Sequence, residues 1–186
     1  MNAKKIRLSG FLILTLVLLS CGEKKQAQIR TESTENWKTV KTENYTISYP
    51  PTWVLDNKEQ MGIIMQLFSP LSSPTDSFSD NVNLVIQNLS GQPVNDLDKY
   101  TQLSENQIKS MMTDSKILSS KRMNRHKQEF QKIQYTAKQG IYKLKFQQYY
   151  FIKNEKEYVL TFSCEVDEFK NYSEISEKIM DSFRIN

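Results

Sequence analysis

Hydrophobic residues are spread unevenly along this 186-residue chain, and their spacing predicts its elements. Phe11 to Leu19 is an apolar run, interrupted only by Thr15, behind a positive flank of Lys4, Lys5 and Arg7. It is far short of the roughly 18 or more residues that span a bilayer, so it reads as the h-region of an export signal. Residues 22 to about 41 are polar with almost no apolar periodicity, the composition of a solvated tether. Trp37 is the one large apolar residue there and marks where the chain first touches the fold.

Beyond the tether the pattern alternates. Tyr45 to Tyr49 has the period-2 signature of a strand, stopped by Pro50-Pro51. Trp53-Val54-Leu55 is a short strand before an Asp56-Asn57 turn, and Ile63 to Phe68 is a further run ended by Ser69-Pro70. Residues 71–80, rich in Ser, Pro and Asp, read as a loop. Asn81 to Leu89 puts Val82, Leu84 and Ile86 on one face and Val85 on the other, as in a strand covered on both sides. After Gly91-Gln92-Pro93 the period becomes helical. Asn95 or Asp96 can cap, and Leu97, Tyr100, Ser104, Ile108 and Met111 form a stripe widened by Leu103 and Met112. Such a stripe reads as core, laid across a sheet. Alternation returns in Ile117-Leu118, Phe130 to Tyr135, Tyr142 to Ile152 and Tyr158 to Val166, a meander with Lys153-Asn154-Glu155-Lys156 as its last turn. Asp167 then reads as the N-cap of a final helix carrying Phe169, Tyr172, Ile175, Ile179 and Phe183. Strands in a run with two amphipathic helices predict an α+β fold, an antiparallel β-sheet flanked by helices.

The apolar run ends in Leu18-Leu19-Ser20-Cys21, which resembles the lipobox of bacterial lipoproteins. The resemblance implies cleavage before Cys21, a diacylglycerol on its thiol and usually a third acyl chain on the new amino terminus. Two or more chains anchor stably where one does not. The expected organisation is a signal peptide over residues 1–20, a tether over 21–41 and one domain over 42–186. Gly22 is compatible with sorting to the outer membrane, and Glu23, Lys24 and Lys25 beside the anchor leave open whether the domain faces the periplasm or the cell surface. A coil of about 20 residues, at roughly 5–6 Å times the square root of its length, keeps the domain within some 25 Å of the membrane.

Cleavage would remove three of the 25 basic residues and none of the 21 acidic ones, leaving a mature net charge of about +1. That near-neutral balance argues against general nucleic-acid binding, which needs a clustered positive surplus. Lipidation of Cys21 leaves Cys164 without an intramolecular partner. Cys164 shares a strand face with Leu160, Phe162 and Val166, so it reads as a buried small hydrophobe and not as a reactive thiol.

Few residues offer chemistry. His126 is the only histidine and lies between Arg125 and Lys127, whose charges disfavour both an imidazolium and a bound cation. The five glycines do not form a phosphate cradle, and no cofactor or metal site is indicated. Lys121, Arg122, Arg125 and Lys127, with Lys132 further on, form the densest basic segment: either a docking patch for an anionic partner or a solvated hairpin that blunts an exposed edge. Asp76 and Asp80 lack the spacing of a calcium loop and read as a polar loop. In Tyr142 to Ile152, Tyr150 falls in register with Leu144 and Phe146 while Tyr149 and Phe151 fall opposite, as in a strand buried on both faces.

Taken in order, Tyr45 to Tyr49 with Pro50 and Trp53, then Ser69-Pro70, Asp80 to Val85, the helix after Leu97, Glu157 to Thr161, Phe169 and Asp181 to Ile185 resemble the PsbP-like superfamily, which includes DcrB-type bacterial lipoproteins and Mog-type Ran-binding proteins. The resemblance covers nearly all of residues 42–186 and implies an αβα sandwich. It transfers no catalytic residues, and its characterised members are mainly accessory or adaptor proteins. One departure is the segment Met123 to Gln128, where relatives often carry a glycine turn and this chain has none, so a longer or differently shaped hairpin is expected there. The combined expectation is a non-catalytic, membrane-tethered accessory module of the cell envelope with a protein partner. The alternative is a carrier of a small ligand or lipid, with a pocket between sheet and helix.

Overall fold

The computed structural model describes residues 34–60, 62–73, 76–91 and 96–186, so the export signal, Cys21 and Asn95 lie outside the described residues. A single 3-10 turn at Thr34–Asn36 leads into β1 (Lys38–Lys41), which pairs antiparallel with β2 (Tyr45–Tyr49). Paired structure is therefore present before residue 42, inside the segment expected as tether. Trp37 sits half-buried against the core, where its indole marks the chain's entry. The cause is that β1, although polar, gains backbone hydrogen bonds from β2, a signal that apolar periodicity does not carry.

β2 alternates Tyr45, Ile47 and Tyr49 inward with Thr46 and Ser48 half-exposed, which is the period-2 pattern made physical. It does not join the main sheet. With β1 and the terminal β10 (Arg184–Ile185) it forms a separate three-stranded sheet, β1-β2-β10. The main sheet has seven antiparallel strands. They are β3 (Val54–Asp56), β4 (Ile63–Phe68), β5 (Asn81–Asn88), β6 (Thr113–Arg125), β7 (Gln128–Gln139), β8 (Tyr142–Lys153) and β9 (Lys156–Glu165), in the order β3-β4-β5-β9-β8-β7-β6. β5 is central to this arrangement, because it lies between β4 and the far later β9.

Two helices cover opposite faces. On one face, α1 (Leu97–Met111) starts where the Asp96 carboxylate accepts from the Lys99 amide at 2.8 Å. Its Ile108 packs with Ile133, Tyr135, Ala137, Leu144, Phe146 and Tyr150. Met111, expected in the buried stripe, is the last residue of the helix and is 78% exposed. On the other face, α2 (Phe169–Asp181) and the small sheet share a core with Leu84, Tyr149, Phe151, Leu160 and Phe162. Tyr149 and Tyr150 thus enter different cores, as alternation requires. Cys164 lies in the α2-side core, with Leu160 and Phe162, but β9 stops at Glu165 and Val166 is exposed. Asp167 does not cap α2. The helix begins after Glu168, with no side-chain cap, through a backbone turn from Glu168 N–H to the Glu165 carbonyl at 3.1 Å.

The β6–β7 hairpin closes with two residues, His126 and Lys127, at φ of 52° and 64°. This is tighter than the glycine-free sequence led us to expect. Two positive φ values in a two-residue loop match the right-handed strand twist, a geometry that normally selects Asn-Gly. Side chains in that region are strained by roughly 1–2 kcal/mol per residue, offset in part by the unfolded-state freedom that glycine adds. Lys127→Gly is accordingly expected to raise stability by about 0.5–1 kcal/mol, measured as the urea midpoint. An unchanged or lower midpoint would show that the turn carries no such strain.

Candidate functional site

The four cations singled out from sequence do not gather into one patch. Arg122 reaches α1 and pairs with Asp98, and it also contacts Glu129 at 3.4 Å and Gln131 at 3.2 Å. Arg125, three residues on in the same strand, points to the other face and pairs with Asp181 on α2. Lys132 is likewise held by Glu177 of α2 at 2.6 Å. These pairs pin the helices to the hairpin and leave Lys121 and Lys127 as the segment's exposed side chains without an ion pair among the described residues. His126 is exposed in its turn. Asp76 is held by Ser72, through backbone and hydroxyl at 2.9 Å each, and these bonds lower its pKa. Asp80 is instead buried, and desolvation pushes its carboxyl up to about 7 against a hydrogen bond from the Glu165 backbone. Cys164 is fully buried, its thiol 3.7 Å from the Lys145 carbonyl, and burial drives its pKa upward, away from the reactive thiolate.

A gap between sheet and helix, where the carrier reading expects a pocket, lies under α1, and what sequence reasoning missed is the buried Glu157 in it. The face of the sheet that α1 covers carries Val85 and Gln87 from β5, Gln148 and Tyr150 from β8, and Glu157, Val159 and Thr161 from β9. The helix lays Tyr100, Ser104, Gln107 and Ile108 over them without closing the gap, leaving a cleft of about 360 Å³. Tyr100 and Tyr150 face each other with ring centroids 5.7 Å apart. Most polar groups on the floor are satisfied: the Tyr150 hydroxyl donates to Gln148 Oε1, and Gln148 Nε2 lies 3.0 Å from Thr161 Oγ1.

Glu157 is the exception. It is 0% exposed, and neither carboxylate oxygen has a hydrogen-bond partner. The only other such buried side-chain atom among the described residues is Trp37 Nε1. Burial pushes the Glu157 carboxyl up to about 7; the Tyr100 hydroxyl stands near enough to favour the charge, yet no bond of normal length and angle joins them. A buried acid with two orphan acceptors is costly and uncommon, so its presence beside a cleft calls for an explanation.

Comparison with known proteins places the fold. A family model described as PsbP-like protein matches residues 17–185. The chain belongs to the PsbP-like family. No curated protein matches it in sequence. Among solved structures, cyanobacterial PsbP (CyanoP) of Synechocystis sp. PCC 6803 superposes with a TM-score of 0.59 at 14% identity, over 91% of this chain and 99% of that one. LpqN of Mycobacterium tuberculosis, described as involved in cell envelope biogenesis, gives 0.55 at 10% identity, over 81% and 90%. The Ran-binding protein Mog1p of Saccharomyces cerevisiae gives 0.55 at 8% identity, over 81% and 95%. At these identities the likeness concerns architecture alone, and it bears out the PsbP-like α+β sandwich expected from the sequence. No helix among the described residues is long and apolar enough to cross a membrane.

Proposed function

We propose that this protein is a lipid-anchored accessory lipoprotein of the cell envelope, held by Cys21 in the outer membrane, which acts by binding through its PsbP-like domain and not by catalysis. The observation that carries the proposal is the Leu18-Leu19-Ser20-Cys21 sequence directly after an export-type apolar run. A fold shared with an envelope-biogenesis protein and with a Ran-binding protein supports an envelope setting and a binding role. The proposed protein-docking residues are Lys121, Arg122, Arg125 and Lys127. Lys121 and Lys127 offer the exposed charges, and the other two fix the hairpin that presents them.

Cys21→Ser is the direct test. With no thiol to acylate, the protein is expected to leave the membrane fraction or to keep its signal uncleaved. A cleaved Cys21→Ser protein that still needs detergent for extraction would overturn the anchor. Crosslinking in intact envelopes followed by pull-down addresses the binding role, which predicts a defined partner that is lost on charge reversal of Lys121 and Lys127.

A second reading, a carrier of a small ligand, is favoured by one specific observation: the open cleft beneath α1 with an unsatisfied carboxylate at its floor.

A further inference from the structure

We infer that the cleft beneath α1 binds a small organic ammonium ion, whose N–H groups donate to Glu157 and whose carbon body lies against Tyr100 and Tyr150. The inference rests on the carrier reading and adds the chemical class of the ligand. The two orphan oxygens of Glu157 need hydrogen-bond donors, and the nearby polar groups of Tyr150 and Gln148 are already engaged with each other and with Thr161. A single carboxylate among tyrosine and valine side chains supplies too few oxygens for calcium or magnesium. It suits an ammonium ion, which needs one counter-charge and gains further from aromatic faces. A primary ammonium is preferred over a quaternary one, because only the former carries N–H groups to satisfy both acceptors.

The dimensions agree. About 360 Å³ lies at the lower end of the range of ligand clefts, roughly 300–1,000 Å³, and leaves room beyond the charged group for a short carbon chain. Gln87, Gln107 and Met111 are exposed lining residues and so form the mouth, while Tyr150, Glu157 and Thr161 are buried and form the floor. Glu157 is fully buried in the free protein, so the incoming ammonium reaches it by pushing the neighbouring Tyr100 side chain aside. A carboxyl poised near neutrality can give up its proton to pair with the cation.

The test uses the full-length protein extracted in dodecyl maltoside and ligand-observed saturation-transfer NMR with n-butylammonium, 1-butanol and butyrate as probes. Butylammonium is expected to bind about tenfold or more tightly than butanol, the worth of one charge-assisted hydrogen bond, with butyrate weakest. In Glu157→Gln, which keeps shape and removes charge, that preference should fall to about unity. Met111→Trp, a change at an exposed position that fills the mouth, should weaken both butylammonium and butanol. If butanol binds as well as butylammonium to the wild-type protein, or if the preference survives in Glu157→Gln, the cation assignment is wrong while the carrier reading stands. If no probe binds, or if Met111→Trp changes nothing, the cleft is not a ligand site and both readings fall together.

Discussion

Phe183→Ala is expected to destabilise the protein by about 3–5 kcal/mol, the usual cost of emptying a buried aromatic site. Phe183 is 2% exposed, and its ring meets Tyr45 at 5.8 Å, Phe151 at 5.3 Å and Tyr158 at 6.1 Å between centroids. Tyr45 belongs to the small sheet, Phe151 and Tyr158 to the large one, and Phe183 follows the last turn of α2. One side chain therefore joins three elements at this corner. The polar links nearby include a Ser48 amide donating to Ser182 Oγ at 2.8 Å, an Ile185 amide donating to Gln128 Oε1 at 3.0 Å and an Asn186 amide donating to the Asn44 carbonyl at 3.1 Å. Each is worth only about 1 kcal/mol net, less than the cost of the cavity that the truncation leaves. For a chain of this length the loss corresponds to a fall in Tm of roughly 6–20 °C. Leu103→Ala on the exposed side of α1 serves as control and should stay within about 0.5 kcal/mol of wild type. A Phe183→Ala protein that melts with the control would show that the small sheet and α2 are held by something other than this aromatic cluster.

Much of this architecture is legible in the chain because burial obeys simple periods. Tyr45, Ile47 and Tyr49 point inward as their alternation demands, and Leu84 and Val85 face opposite sides of one strand. Assignment of strands to sheets is a different matter. The same period-2 pattern fits a strand of either sheet, and β2 leaves the main one because its partners, β1 and β10, come from the two ends of the domain. The β6–β7 turn misled for another reason. Glycine is the usual residue at positive φ, but long paired strands on both sides impose the turn and force His126 and Lys127 into it.

The basic segment was misleading as a cluster although its spacing held the answer. Arg122 and Arg125 are three apart in a strand, so they must point to opposite faces, and each finds an acid on a different helix. Glu157 left weaker traces. A charged residue at the start of a strand reads as solvent-facing, and only Val159 on the same face hints otherwise. What buries it is α1, some fifty residues earlier in the chain, and no local pattern reports a cover that distant.

Burial of Glu157 has a measurable consequence for stability against pH. Its carboxyl ionises near 4.5 in the unfolded chain and near 7 in the folded one, so between these values the folded state holds a proton that the unfolded state has released. Stability is therefore fullest below about pH 4.5 with respect to this group, falls as pH rises through 7, and is flat above. A shift of that size corresponds to about 3 kcal/mol. The groups that face it are the Tyr100 and Tyr150 hydroxyls, both held neutral over this range by pKa values raised through desolvation, so neither supplies a compensating charge. Asp80, raised to about 7 beside Glu165 and Glu168, acts in the same direction, so the wild-type slope exceeds the share of Glu157. The difference between wild type and Glu157→Gln isolates that share. Glu157→Gln is expected to gain about 2–3 kcal/mol relative to wild type at pH 8, slightly less than the full shift because its amide is buried too, and to show no comparable gain at pH 4.5. Urea unfolding at the two pH values measures it. An equal difference at both would mean that Glu157 titrates as an ordinary exposed acid and is not sealed beneath the helix.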